Sequence, residues 1–210
     1  MKQLNIPNRL SLLRLCLVPV FMALMGIPES LPGQTGMEIL FSALAAFVFI
    51  LCAVTDMIDG KIARKYNMIT DFGKFIDPVA DKFMVIGATM MLVFCDRYAA
   101  IRPVLFWGVV IGVFRELAVT AVRLVALSAG GQVIAANMLG KIKTVTQIVC
   151  VCAAIIEPLL CKIPLVDKYL SFWGRYLPIT YTSIAVMTIF TLWSGINYIV
   201  CAWKYINPNK

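Results

Sequence analysis

The sequence predicts an all-helical integral membrane protein, a bundle of six transmembrane helices forming a single membrane-embedded domain over residues 1–210. Three observations carry that expectation. Of the 210 residues, 61% are hydrophobic and only 14% charged, with a mean hydropathy of +0.88. A soluble domain is about half apolar and about a quarter charged, so too few charges remain here to solvate a surface. The apolar residues also come in long runs, such as Met37–Thr55 and Phe83–Cys95, rather than in one stripe. Lipid offers the backbone no hydrogen bonds, and a helix satisfies its own within one segment.

Taken in order, the first span has its core at Leu15–Ile27 and begins near Asn8, with Arg9 and Arg14 at its cytoplasmic end. Residues 1–14 are too polar for the core of a cleavable signal, and Arg14 falls where such a core would lie. Pro28–Gly36, rich in Pro and Gly, reads as a turn. Met37–Ile58, Asp77–Cys95, Pro103–Leu127, Met138–Leu160 and Tyr176–Trp203 supply the other five spans. Lys61, Arg64, Lys65 and Lys74 crowd the segment between spans two and three, whereas the turn near Pro28 holds Glu29 and no basic residue. Basic residues collect on the cytoplasmic side, so the expectation is a multi-pass protein of the cell membrane with both termini cytoplasmic. No internal repeat or linker is evident.

The net charge of +8 fits that asymmetry and attraction to anionic headgroups. No basic run with interleaved aromatics points to nucleic acid. Seven cysteines lie mostly inside apolar runs without a CxxC pair and read as packing residues. The chain has no His. Ser-His and Cys-His catalysis and His ligation are thereby excluded, and any metal must be held mainly by carboxylates, which favours hard cations such as Mg²⁺ or Mn²⁺.

Five of the eleven acidic residues lie between Thr55 and Lys82. Asp56 and Asp59 are i,i+3 neighbours at the cytoplasmic end of span two; Asp77 and Asp81 are i,i+4 neighbours at the start of span three. Each pair faces one way on its helix. The short connection predicts antiparallel neighbouring helices with both pairs at one depth. Four carboxylates converging at a membrane boundary repel, and one or two divalent cations are the simplest compensation. Asp71 reads as a loop or capping residue. Gly60 and Ala63 continue the face of Asp56 and Asp59, and Gly73 steps by four to Asp77 and Asp81. Such small residues let a ligand or backbone approach closely. Arg64 lies just beyond, where a guanidinium forks onto a diphosphate.

The series Asp56, Asp59, Gly60, Ala63, Arg64, Gly73, Asp77, Asp81 resembles the signature of the CDP-alcohol phosphatidyltransferases with no departure. The opening Asn5–Asn8 with Leu10 and Arg14, the run Arg115, Glu116 and Arg123, and the run Gly140, Lys141, Lys143 and Thr144 are similar to bacterial members whose acceptor is glycerol 3-phosphate. The resemblance covers nearly the whole chain. It implies a six-helix membrane fold, often a homodimer, that takes CDP-diacylglycerol as donor. It further implies that Asp56, Asp59 and Asp77 ligate metal, with Asp81 as general base and a further contact to metal. Gly60, Ala63, Arg64 and Gly73 would line the CMP and diphosphate site, with Asn8 near the nucleotide.

The basic residues give a separate reason for a phosphorylated acceptor. Arg115, Arg123, Lys141 and Lys143 lie inside otherwise apolar stretches of spans four and five. Arg115 and Arg123, eight apart, share roughly one face, while Lys141 and Lys143 cannot face quite the same way. Together they suggest a pocket for a dianionic group, which glycerol phosphate carries and serine or inositol does not. Glu116 is expected to orient one of these bases. A membrane prenyltransferase would carry two separated Asp-rich motifs and more spans. A cation transporter would place its acids near the midplane and show a repeat or broken helices.

Overall fold

The computed structural model describes residues 5–30, 35–66, 70–128, 138–162, 174 and 176–203. Among them, six long helices run as α1 (Ile6–Ser30), α2 (Thr35–Lys65), α3 (Asp71–Phe94), α4 (Arg102–Ser128), α5 (Met138–Cys161) and α6 (Pro178–Ala202). A short 3₁₀ turn at Asp96–Tyr98 links α3 to α4. The shortest helices have 24 residues, or about 36 Å at about 1.5 Å per residue, enough for a hydrocarbon core of about 30 Å. Helices α1, α2, α4, α5 and α6 are long and apolar enough to cross a membrane. The sixth, α3, matches them in length but carries Asp77, Asp81 and Lys82 in its first half. The chain is a multi-pass membrane protein.

Helix boundaries differ from expectation at the polar ends. The Pro28–Gly36 turn is shorter than expected: α1 continues through Pro28 to Ser30 and α2 starts at Thr35, with 31–34 outside the described residues. Helix α2 runs on to Lys65 and α3 begins at Asp71, so the basic segment between them is largely helical. Thr70, not Asp71, caps α3: its side chain accepts from the Gly73 amide. Asp71 occupies the first turn, where its charge suits the helix dipole.

The helices close a ring in the order α1, α3, α4, α6, α5, α2, with α3 also touching α5 across the middle. The expected α2–α3 neighbourhood is therefore corrected. Helix α1 lies between them and packs against both. The core is filled from all sides, by Phe21 and Met25 of α1, Phe49 of α2, Met84 and Leu92 of α3, Leu105 of α4, Ile155 of α5 and Met187 of α6. The Phe21 and Phe49 rings stand 5.5 Å apart, a tilted contact of the favourable kind. Outward positions such as Phe47, Phe114 and Trp193 remain exposed and suit lipid.

Two polar networks secure the ends. Glu157, buried in α5, accepts from the amides of Ile179 (3.0 Å) and Thr180 (2.7 Å) and from the Thr180 hydroxyl (2.6 Å). Pro178 has no N–H to satisfy, and Glu157 thus takes the next two orphan donors at the α6 N-terminus with a charge of the right sign. Arg97, beyond α3, donates to Glu29 Oε1 at 3.2 Å, to Ser42 Oγ at 2.5 Å and to the Met25 carbonyl at 3.1 Å. One guanidinium so ties the far ends of α1 and α2 to the α3–α4 connection.

Candidate active site

Asn8, Ser11 and Arg14 recur every three residues on α1 and are all buried, on the face turned toward α2 and α3. Each meets a residue of the aspartate stretch. Asn8 Nδ2 donates to Thr70 Oγ1 at 2.9 Å, and that hydroxyl donates back to Asn8 Oδ1 at 3.1 Å. The Gly73 amide donates to the same Thr70 oxygen at 3.0 Å. A Cβ on Gly73 would fall 2.8 Å from Asn8 Oδ1, so only glycine lets the Asn8 amide seat here. Ser11 Oγ donates to Asp77 Oδ1 at 2.5 Å.

Arg14 is 1% exposed and spans the α2 pair. Its Nη1 donates to Asp56 Oδ1 at 2.5 Å and its Nη2 to Asp59 Oδ2. Asp59 is buried, whereas a third of the Asp56 side chain is exposed. In this arrangement a guanidinium offsets the two α2 carboxylates. A hydroxyl holds one α3 carboxylate, and the other, Asp81, has a buried Oδ1 without a hydrogen-bond partner among the described residues.

Asp81 also opens onto a cleft between α3, α4 and α5. Lys82, Glu116, Lys143, Thr144 and Gln147 line it, with Gly108 and Gly112 on the α4 wall. Glu116 Oε1 accepts from Lys143 Nζ and, at 3.1 Å, from Arg115 Nη1. This is the orienting pairing expected for that acid. Arg115 Nη2 reaches Ser194 Oγ of α6 at 2.7 Å, lying against Gly195, where a Cβ would come within 3.0 Å of Arg115 Cγ. Lys82 Nζ donates to Thr120 Oγ1 at 2.9 Å.

The four expected acceptor-binding bases do not all converge. Lys143 is buried at the cleft and Arg115 meets it at Glu116. Arg123 shares the Arg115 face, as its spacing requires, but that face turns to α6: Arg123 Nε lies 3.4 Å from Tyr198 OH and its guanidinium 6.0 Å from the Tyr198 ring. Lys141 is exposed, pointing away from the buried Lys143. Gly60 sits half-buried on α2 beside Asp59. The backbones of Ala63 and Arg64 are helical, and their side chains lie outside the described residues.

Sequence reasoning passed over Ser11, Thr70 and Lys82, and treated Arg14 as a flanking charge. The signal was present for Arg14: a cation inside an apolar run, in a three-residue step with Asn8 and Ser11, needs a buried partner.

The residues suit a divalent cation by donor type. Four carboxylates supply hard oxygen donors, and the buried Asp81 Oδ1 is an acceptor without a donor. As the side chains stand, no three acidic or sulfur side chains among the described residues form a closed ligand set, and Arg14 pairs with Asp56 and Asp59.

Residues 4–205 match the family model described as CDP-alcohol phosphatidyltransferase. The chain is 38% identical, over an alignment 213 positions long, to the CDP-diacylglycerol–glycerol-3-phosphate 3-phosphatidyltransferase of Bacillus subtilis, covering 98% of this chain and 99% of the relative. It is 31% identical to the protein of that name from Shigella flexneri serotype 5b, with 95% and 96% covered. A third relative of the same name, from Rickettsia typhi, is 36% identical over 68% of this chain and 71% of its own. On this match and on the intact aspartate series, the chain belongs to the CDP-alcohol phosphatidyltransferase family.

Proposed function

We propose that this protein is a CDP-diacylglycerol–glycerol-3-phosphate 3-phosphatidyltransferase. It moves the phosphatidyl group of CDP-diacylglycerol to sn-glycerol 3-phosphate, giving phosphatidylglycerol phosphate and CMP. The observation that carries the reading is the place of Asp81. It belongs to the aspartate series and also borders a cleft that holds Lys82 and Lys143. A carboxylate between a diphosphate site and a basic cleft is where a base between donor and acceptor belongs. The names of the full-length relatives agree with it.

Asn8, Gly60, Ala63, Arg64 and Gly73 bind the CDP moiety of the lipid, with the Asn8–Thr70–Gly73 contact holding α1 against the start of α3. Lys143, Arg115 and Lys82 draw the acceptor phosphate into the cleft. Arg123, set against Tyr198 of α6, and the exposed Lys141 stand outside the cleft lining. Asp81 takes the proton of the acceptor's 1-hydroxyl as that oxygen attacks the phosphorus carrying diacylglycerol. The bond from that phosphorus to the CMP oxygen breaks in the same displacement, with no covalent enzyme intermediate, and Arg64 steadies the charge growing on CMP. Asp56, Asp59, Asp77 and Asp81 would hold one or two divalent ions, Mg²⁺ or Mn²⁺, which supply Lewis-acid stabilisation of the transferring phosphoryl group. The active site and both termini face the cytoplasm at the cell membrane, in keeping with the basic residues around α2 and α3. The protein is a homodimer in this reading, checked by light scattering in detergent.

The test is an acceptor panel. Purified protein with CDP-diacylglycerol and Mg²⁺ is offered radiolabelled glycerol 3-phosphate, serine or inositol phosphate, and the lipid is extracted. Label enters lipid from glycerol 3-phosphate alone. Lipid labelled from another alcohol instead would sink the assignment.

A further inference from the structure

Gln147 is 5% exposed in the middle of a membrane-spanning helix, and its Oε1 has no hydrogen-bond partner among the described residues. Burying an amide oxygen unpaired is costly, so the group calls for a partner from outside the protein, a water or a ligand. Gln147 lines the cleft that Asp81 borders. It follows Lys143 by four residues, on the same face of α5 and about 6 Å farther along at about 1.5 Å per residue. Gly112 faces it from α4, where a Cβ would make an ordinary contact, 3.6 Å from Gln147 Nε2. The cleft therefore combines cations with two buried oxygens that lack donors, one on Asp81 and one on Gln147. An anion with a single hydroxyl would satisfy the cations and one oxygen only.

We infer that Gln147 reads a second hydroxyl on the acceptor, so that the cleft selects a phosphorylated vicinal diol over a phosphorylated simple alcohol. The inference rests on the reading of this cleft as the acceptor site. With the phosphate on Lys143 and the reacting hydroxyl on Asp81, the neighbouring hydroxyl of a three-carbon chain donates to Gln147. Gln147 binds and takes no part in proton transfer. A site built to hydrogen-bond a hydroxyl rejects the analogue that lacks it, because its own buried group is then stranded.

The experiment compares glycerol 3-phosphate with 3-hydroxypropyl phosphate, which keeps the reacting hydroxyl and the phosphate but lacks the middle hydroxyl. Transfer from CDP-diacylglycerol is followed in wild-type protein and in Gln147→Met, a near-isosteric change. Wild type should prefer glycerol 3-phosphate by about 10- to 100-fold in kcat/KM, the value of a buried hydrogen bond left unmade. In Gln147→Met that ratio should fall toward one. A wild-type ratio near one overturns the inference without any variant, which keeps the test decisive should Gln147→Met fail to fold. A ratio preserved in a folded Gln147→Met overturns it as well, and in both cases the acceptor reading survives. Wild type that makes no lipid from glycerol 3-phosphate, yet uses another alcohol, overturns the acceptor reading and the inference with it.

Discussion

Gly73→Ala should injure the donor side of the site and leave the acceptor side intact. The added methyl would stand 2.8 Å from Asn8 Oδ1 and 3.2 Å from Thr70 Oγ1, the first of these closer than carbon and oxygen can lie. The α3 backbone is held by its helix, so the Asn8 amide must give way. Its two hydrogen bonds with Thr70, at 2.9 and 3.1 Å, go with it. At about 0.5–1.5 kcal/mol each, the loss is about 1–3 kcal/mol, or roughly 5- to 150-fold. Steady-state release of CMP, with CDP-diacylglycerol varied at saturating glycerol 3-phosphate, should show kcat/KM for the lipid falling within that range. The KM for glycerol 3-phosphate should hold, since the cleft lies on the α4–α5 side of α3. A double-mutant cycle isolates the cause. In an Asn8→Ala background the amide is gone and the methyl has room, so the second substitution should cost less than half of what it costs alone. An equal cost in both backgrounds, or none in the wild-type background, would show that Gly73 does not act through Asn8.

Other residues give further tests. In metal-free protein, Arg14→Met leaves Asp56 and Asp59 without the cation they share and should destabilise the protein by about 3–5 kcal/mol, read as a large fall in melting temperature in detergent with EDTA; unchanged melting would show that the guanidinium is dispensable. Glu157→Gln removes the charge from the α6 cap and should lower stability by about 1–2 kcal/mol with no change in either KM, measured by thermal unfolding beside kinetics. Chelation by EDTA should abolish CMP release, and Mg²⁺ or Mn²⁺ should restore it, whereas release that persists in EDTA would contradict a carboxylate-held ion.

Much of the fold was legible because a bilayer constrains the chain so tightly. Apolar runs about twenty residues long marked α1, α2, α4, α5 and α6, and the helical period put Asp56 with Asp59 and Asp77 with Asp81. The same period separated Lys141 from Lys143, as the structure does. Periodicity says which residues share a face; it does not say which neighbour that face meets. Arg115 and Arg123 do share one, but it turns toward Ser194 and Tyr198 on α6, and only Arg115 also reaches the cleft through Glu116. A short connection between α2 and α3 suggested contact between them, and α1 takes the place between instead. Its polar face supplies Asn8, Ser11 and Arg14, so the aspartate pairs are held by a helix that carries no acid before Glu29. Gln147 escaped notice because one amide in an apolar run carries no pattern, and its meaning lies in the absence of a described partner for Oε1.

In the proposed reaction Asp81 sits between donor and acceptor and moves the proton. Transfer by wild type and by Asp81→Asn tests it directly, with CMP and labelled lipid counted together from CDP-diacylglycerol, Mg²⁺ and labelled glycerol 3-phosphate, and with Mn²⁺ binding followed by its paramagnetic resonance signal. Wild type should release one CMP per labelled lipid. With Asp56, Asp59 and Asp77 left to hold the ion, Asp81→Asn should still bind Mn²⁺ while its turnover falls by at least about 10²-fold, the lower end of the effect of a general base. An Asp81→Asn protein that binds the ion and turns over at the wild-type rate would mean that Asp81 is not the base.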